Sequence, residues 1–270
     1  MKSCPGAVLF LLLCSALPAM ARFGHSQRIR HSIEFFNDHN TLRIESYLSF
    51  QANNGLLTTS YPNVLLRYGL IKVLELRLGI QLTSVNDMIR YSAKTGLAPL
   101  QPGLKIQIVK PHGYIPAMAL TGSVTIPHAA SESLRQTYWA PLLIFSAEQD
   151  ITERLSLEYA VGMQWDADNF QRGYLTSLNM EYDFTRKSMV YADAYLLQPE
   201  RDQTDIRVDI GVSRELNRYI LFDLSAGTGL TKAAPEFFFN AGFVFTYGDW
   251  KKLRVKKNRY ATRPVAPRRG

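Results

Sequence analysis

"KVLELRLGIQLTS", residues 72–84, sets an aliphatic residue at every second position, with charged, polar or glycine residues between them. That alternation has the period of a β-strand, whose successive side chains point to opposite faces. Leu74, Leu76, Leu78, Ile80 and Leu82 share one face, and Glu75, Arg77, Gly79 and Gln81 share the other. A half-buried strand of a soluble sandwich and a membrane-spanning strand both alternate in this way. The rest of the chain has to decide between them.

Segments of the same kind, each about ten residues long and ended by polar, Gly or Pro residues, recur throughout. They cover 41–50, 61–70, 73–83, 100–110, 115–126 and 139–149, then 154–165, 173–184, 188–198, 205–213, 218–229 and 236–247. The fourth and sixth are the least regular. Longer or looser connections follow the odd-numbered segments, as at 84–99 and 127–138, and tight links follow the even-numbered ones, as at 71–72, 150–153 and 185–187. An even number of antiparallel strands with short turns at one end and longer loops at the other is the pattern of an outer-membrane barrel. Three further features place lipid against the apolar faces. The segments exceed the usual five or six residues of a globular strand. Gly and Ala recur on the polar side, as a crowded interior requires, and Trp139, Trp165, Tyr174, Phe237 and Tyr247 lie near segment ends, where interfacial aromatic girdles form. The last segment, with Phe237, Phe239, Phe243, Phe245 and Tyr247 on one face, would aggregate as an exposed strand in water. The expected fold is therefore all-β: a single antiparallel up-and-down transmembrane barrel of about twelve strands over 41–247.

The flanks differ in character. Lys2 precedes the apolar run "AVLFLLLCSALPAM", and Ala19-Met20-Ala21 supplies small residues where a signal peptidase reads, so 1–21 is expected to be a signal peptide cleaved after Ala21. The run is too short, and too soon broken by Pro18 and Arg22, to span a bilayer as a helix. Lipid attachment at Cys14 is disfavoured because Leu13 stands where a small residue is expected. Cys4 and Cys14 are the chain's two cysteines, so the exported chain would carry no disulfide, thiolate metal site or cysteine nucleophile. Residues 22–40 read as a polar lead-in or a short plug. From Asp249 to Gly270 there are nine Lys and Arg against one acid, which accounts for the whole net charge of +8 and makes 248–270 a basic tail. With twelve strands both ends face the periplasm, where nucleic acid is not the partner such a charge would meet.

At this point the residues also resemble a known family. "LLRYGLIKVLELRLG" (65–79), "PAMALTGSVTIP" (116–127) and "DIGVSRELNRYILFDLSAGTGLTKAAPEFFFNAGFVF" (209–245) are similar to the bacterial outer-membrane family named after a meta-pathway of phenol degradation. The resemblance implies a transporter-like outer-membrane barrel and, through Gly242–Tyr247, a strand read by the barrel-assembly machinery. Members of this kind commonly end on the aromatic last strand, whereas here the basic tail continues to Gly270. The phenol in the family name describes a context and implies no substrate.

Inward-facing candidates follow from the face assignment: Glu45, Arg67, Glu75, Arg77, Lys105, Glu158, Glu181, Asp183, Asp193, Arg207, Asp209 and Asp223. They either pair across strands and fill a narrow interior or line a polar constriction that selects solutes by size and sign. Acids predominate, which favours cations and neutral solutes over anions. An enzymatic reading has little to stand on. His25, His31 and His39 precede the barrel, His112 falls in a short turn, and His128, near Ser131, Glu132 and Ser133, opens an outer loop with no strand to hold a triad. No metal spacing or phosphate-binding glycine loop is present. The expected function is passive passage of small solutes, apolar or aromatic ones included, without a cofactor. The partners would be outer-membrane lipid, a small-molecule solute and the assembly machinery. The alternative is a closed structural barrel, and a lipid-modifying enzyme comes third.

Overall fold

The computed structural model describes residues 39–248 apart from 54, 90 and 113. The proposed signal peptide, the lead-in before His39 and the tail after Gly248 lie outside the described residues. Thirteen strands follow one another along the chain. They are β1 (Leu42–Asn53), β2 (Leu56–Ile71), β3 (Leu74–Asp87), β4 (Ser92–Leu97), β5 (Gln101–Val109), β6 (Ala117–Thr125) and β7 (Ala140–Asp150). The second half adds β8 (Leu155–Trp165), β9 (Arg172–Thr185), β10 (Ser188–Pro199), β11 (Asp205–Glu215), β12 (Ile220–Gly229) and β13 (Phe237–Tyr247). All of the sequence-derived segments coincide with strands, the two irregular ones included.

Twelve of the thirteen strands close into a ring of antiparallel neighbours, sealed where β1 pairs with β13 from Leu42 opposite Tyr247 to Ala52 opposite Phe237. Closure pairs the backbone of every ring strand on both sides, which is what a sheet needs where no water is present to satisfy an edge. The additional strand is β4. It pairs with the outer part of β3, from Leu82 opposite Leu97 to Asp87 opposite Ser92. The inner part of β3 pairs with β5, from Leu74 opposite Ile106 to Gly79 opposite Gln101. β4 thus stands outside the ring on the long-loop side, within a stretch the alternation left as loop. Its residues, "SAKTGL", have no apolar face to betray it.

A second difference lies between β1 and β2. The alternation predicts a loose connection there, yet both strands run on to a two-residue link at 54–55. Gly55 takes a positive φ of 79°, as a tight hairpin demands. The polar run Thr58-Thr59-Ser60 hid the strand from an apolar count, although threonine favours strands. The other odd-numbered connections are longer, and the largest, 126–139, contains a short 3₁₀ turn at Glu132–Leu134. Among the described residues no helix is long and apolar enough to cross a membrane.

The two faces of the ring separate by chemistry. Outward positions such as Leu76, Val161, Ile210 and Phe243 are exposed apolar side chains on four different strands. Inward positions are mostly buried and largely polar. Inward glycines make room for large neighbours. Gly211 lies opposite Tyr191, whose ring occupies the space a Cβ would take, and Gly242 stands in the same relation to Tyr47.

Candidate functional site

The interior is built up from one buried ion-pair chain. Arg67 on β2 donates from Nε to Glu75 Oε1 at 2.8 Å, from Nη2 to Glu75 Oε2 at 2.9 Å and from Nη1 to Glu45 Oε1 at 3.0 Å. Arg77 extends the chain, its Nε 3.0 Å from Glu75 Oε1. Strand period places these groups together, since Arg67 stands directly opposite Arg77 on β3, and Glu75 opposite Lys105 on β5. Two arginines facing each other repel unless a carboxylate lies between them, and Glu75 fills that position. Arg43, also inward and buried, lies directly opposite Arg67 on β1. The wall formed by β1, β2, β3 and β5 thus carries four cations, Arg43, Arg67, Arg77 and Lys105, around two acids.

The wall running through β7 to β12 is different. Glu158, Glu181, Asp183, Asp193, Asp209 and Asp223 occupy inward positions there, joined by Glu148. Its one candidate cation, Arg207, is held by Asp205 two residues away on the same face, with Nε donating to Oδ1 at 2.8 Å and to Oδ2 at 2.9 Å. Asp223 accepts hydrogen bonds from Tyr191 at 2.9 Å and Ser213 at 2.7 Å. Asn179 donates to Asp193. Bases are therefore in excess in one sector of the lumen and acids in the other, and Lys105 and Arg77 lie within electrostatic reach of Glu158.

Of the twelve sequence-derived candidates, Glu45, Arg67, Glu75, Lys105, Glu158, Arg207, Asp209 and Asp223 are buried, and Arg77, Glu181, Asp183 and Asp193 are half-buried. The structure ties Glu45, Arg67, Glu75 and Arg77 into one cluster, while Arg207 and Asp223 each sit in a separate network. Several inward residues escaped the sequence reading. Arg43 is in phase with Glu45, and Glu148 lies on the irregular sixth segment, so period alone could have found the first and not readily the second. The larger omission is apolar. Ile144, Leu175 and Leu197 are inward and buried, an apolar part of the wall that the sequence reading did not name. Leu175 and Leu197 share parity with Glu181 and Asp193 on their own strands, a signal available in the sequence.

At the outer rim the loop at 126–139 is bound to β4. Ser131 Oγ accepts the Leu97 amide at 2.8 Å, and Ser133 Oγ donates to the Thr95 carbonyl at 3.3 Å. The Ser131 and Ser133 hydroxyls are thus engaged in holding loop to strand. Among the described residues no group of three or more His, Cys, Asp or Glu side chains is arranged to hold a metal ion.

A closed twelve-stranded antiparallel ring with an apolar outside and a charged inside defines an outer-membrane-type β-barrel. The chain belongs to the family described as "Putative MetA-pathway of phenol degradation", which matches residues 37–247. Among solved structures it is similar to the COG4313 outer membrane channel from Pseudomonas putida F1, with 14% identity and a TM-score of 0.64, covering 78% of this chain and 97% of that one. It is also similar to the KdgM porin at 11% identity and a TM-score of 0.53, covering 76% and 99% of the two chains. The NanC porin follows at 8% identity and a TM-score of 0.55, covering 75% and 98%. At these identities the likeness concerns the fold. No curated protein matches the chain by sequence.

Proposed function

We propose that the protein is an outer-membrane channel through which small solutes, apolar and aromatic ones included, diffuse passively along a charged lumen. The observation that carries this reading is the division of the closed ring into an apolar exterior and a charged interior, one sector of which carries an excess of bases and another an excess of acids. A lumen of this kind sorts solutes by sign as well as size. The excess of acids over bases among the inward side chains favours cations and neutral solutes. Similarity in fold to proteins described as channels and porins supports the same reading. The chain would be exported by the signal at 1–21, with cleavage after Ala21, and inserted in the outer membrane by the barrel-assembly machinery. Its basic tail at 248–270 would remain in the periplasm.

A specific observation favours a second reading, a closed structural barrel: the Arg67–Glu75 pair is wholly buried and satisfied internally. Charges of that kind serve as cross-braces whether or not anything passes them. Liposome swelling separates the two. Vesicles containing the folded protein should swell in isosmotic small neutral solutes faster than empty vesicles. Equal rates for correctly inserted protein would favour the closed barrel.

A further inference from the structure

The short turns of the ring are not alike in charge. Residues 184–188 and 214–220, around the links from β9 to β10 and from β11 to β12, hold Arg186, Lys187, Arg214 and Arg218 against one acid, Glu215. The link from β7 to β8, 150–154, holds Asp150 and Glu153 against Arg154. The two basic turns are joined, since the Glu215 amide donates to the Lys187 carbonyl at 2.8 Å. All four cations are exposed. The Lys187 and Arg214 side chains form no hydrogen bond or ion pair with the described residues, and Arg218 lies over the Tyr219 ring, 4.6 Å from its centroid.

Arg214 stands on the outer face of the barrel, in phase with Ile210 on the same strand. Directly opposite it on β12 is Phe222, which itself stands opposite Phe243 on β13. The Phe222 and Phe243 rings are 5.4 Å apart, and Phe245 continues the row toward the turns at 6.2 Å from Phe243. Ile210 lies mid-strand, and four positions further along an antiparallel strand is about 13 Å. The apolar band of such a barrel is about 25 Å tall, so Arg214 falls where acyl chains give way to headgroups.

A guanidinium in that place keeps its charge and needs an anion. Neither residue opposite it, Ser188 nor Phe222, is an acid. A phosphodiester bearing acyl chains answers both features, because arginine takes two phosphate oxygens in a fork, an ammonium can take another, and the chains lie against the phenylalanines. A soluble acidic polymer would meet the cations and leave the aromatic row unused. The ring's last strand also ends beside this patch, where the Thr246 amide donates to the Tyr219 carbonyl at 2.9 Å. The nine Lys and Arg of 249–270 therefore follow in the chain from a point next to it.

We propose that the short-turn end of the β10–β13 outer face is a binding site for anionic phospholipid. Arg214 and Lys187 take the headgroup phosphate, Arg218 widens the basic surface, and the acyl chains lie along Phe222, Phe243 and Phe245. The tail raises the local concentration of such lipids through its charge. The site goes beyond the channel reading, since it requires a barrel in a bilayer and makes no demand on the lumen.

The test is native mass spectrometry of the full folded protein in detergent, its fold checked by heat-modifiable gel mobility, titrated with dioleoylphosphatidylglycerol and with dioleoylphosphatidylcholine. The anionic lipid should bind about tenfold more tightly. A variant carrying Lys187→Gln, Arg214→Gln and Arg218→Gln should lower that preference about fivefold, and one carrying Lys72→Gln and Lys110→Gln, cations of other short turns, should leave it unchanged. Phe222→Ala with Phe243→Ala should weaken both lipids. Equal binding of the two lipids would overturn the site. So would an unchanged preference in the folded triple variant, which would assign the preference to the tail, or displacement of the lipid by polyglutamate, which would make an acidic polymer the partner. Conductance of the same preparation keeps the claims apart: a conducting protein without lipid preference contradicts the site alone, and a lipid-selective protein that never conducts contradicts the channel alone.

Discussion

Arg67 and Glu75 are joined by two parallel hydrogen bonds, 2.8 and 2.9 Å long, and both side chains are 0% exposed. The pair bridges β2 and β3, and through Glu45 it reaches β1. Breaking a buried pair by removing one partner leaves an uncompensated charge. Arg67→Met should therefore destabilise the barrel by about 3–5 kcal/mol. Replacing Glu45 and Glu75 by Met in the same chain should not recover that loss, because Arg77 and Lys105 would then lose Glu75. Urea unfolding of the refolded barrel in lipid vesicles checks both. A loss below about 0.5 kcal/mol for Arg67→Met, the size expected of an exposed surface change, would mean the charges are not dry.

Ile210 tests what surrounds the barrel. It lies in the middle of β11 on the outward face and is 70% exposed. Lipid-facing lysine near the bilayer midplane costs about 2–4 kcal/mol, whereas an ordinary solvent-exposed substitution stays within about 0.5 kcal/mol. Ile210→Lys should fall in the first range in vesicles. The second result would place water against this face.

Gly211 tests the inner packing. A methyl there would meet the Tyr191 ring, which hydrogen-bonds Asp223 at 2.9 Å. Gly211→Ala should displace the phenol, leave Asp223 with Ser213 as its remaining side-chain donor of the two, and cost about 1–3 kcal/mol. The paired change Gly211→Ala with Tyr191→Phe should cost little more than Tyr191→Phe plus the steric term alone, because the hydrogen bond is then already absent. Thermal unfolding of the four members of this cycle reads the coupling.

Charge segregation predicts how selectivity responds to substitution. Asp193→Asn and Asp209→Asn each remove one carboxylate from the acidic wall without removing a cross-brace of the Arg67 cluster. Each should lower the preference for K⁺ over Cl⁻ by about twofold, whereas an outward substitution such as Val161→Ala should leave it unchanged. Reversal potentials under a salt gradient provide the measurement.

The sequence carried the barrel because lipid outside and charge inside impose a period of two that no local propensity can imitate over so many segments. Glu75 and Arg77 were visible as inward residues in a single strand. Their partners were not, since Arg67 meets Glu75 only through the register of β2 against β3, and register depends on turn geometry as well as pattern. β4 and the outward continuation of β1 and β2 escaped for a related reason. Beyond the bilayer, strands such as "SAKTGL" and "LLTTS" need no apolar face, so alternation has nothing to report. The buried ledge of Ile144, Leu175 and Leu197 was hidden by the opposite error. An apolar residue in a membrane strand is read as lipid-facing by default, and only its parity with Glu181 or Asp193 shows otherwise.

The most direct test of the channel is the reversal potential of the purified, refolded protein in a planar bilayer under a KCl gradient. An open lumen dominated by acidic side chains predicts discrete conductance steps and a reversal potential displaced toward that of K⁺. A folded, inserted protein that never conducts would contradict the channel, and one displaced toward Cl⁻ would contradict the charge assignment of its walls.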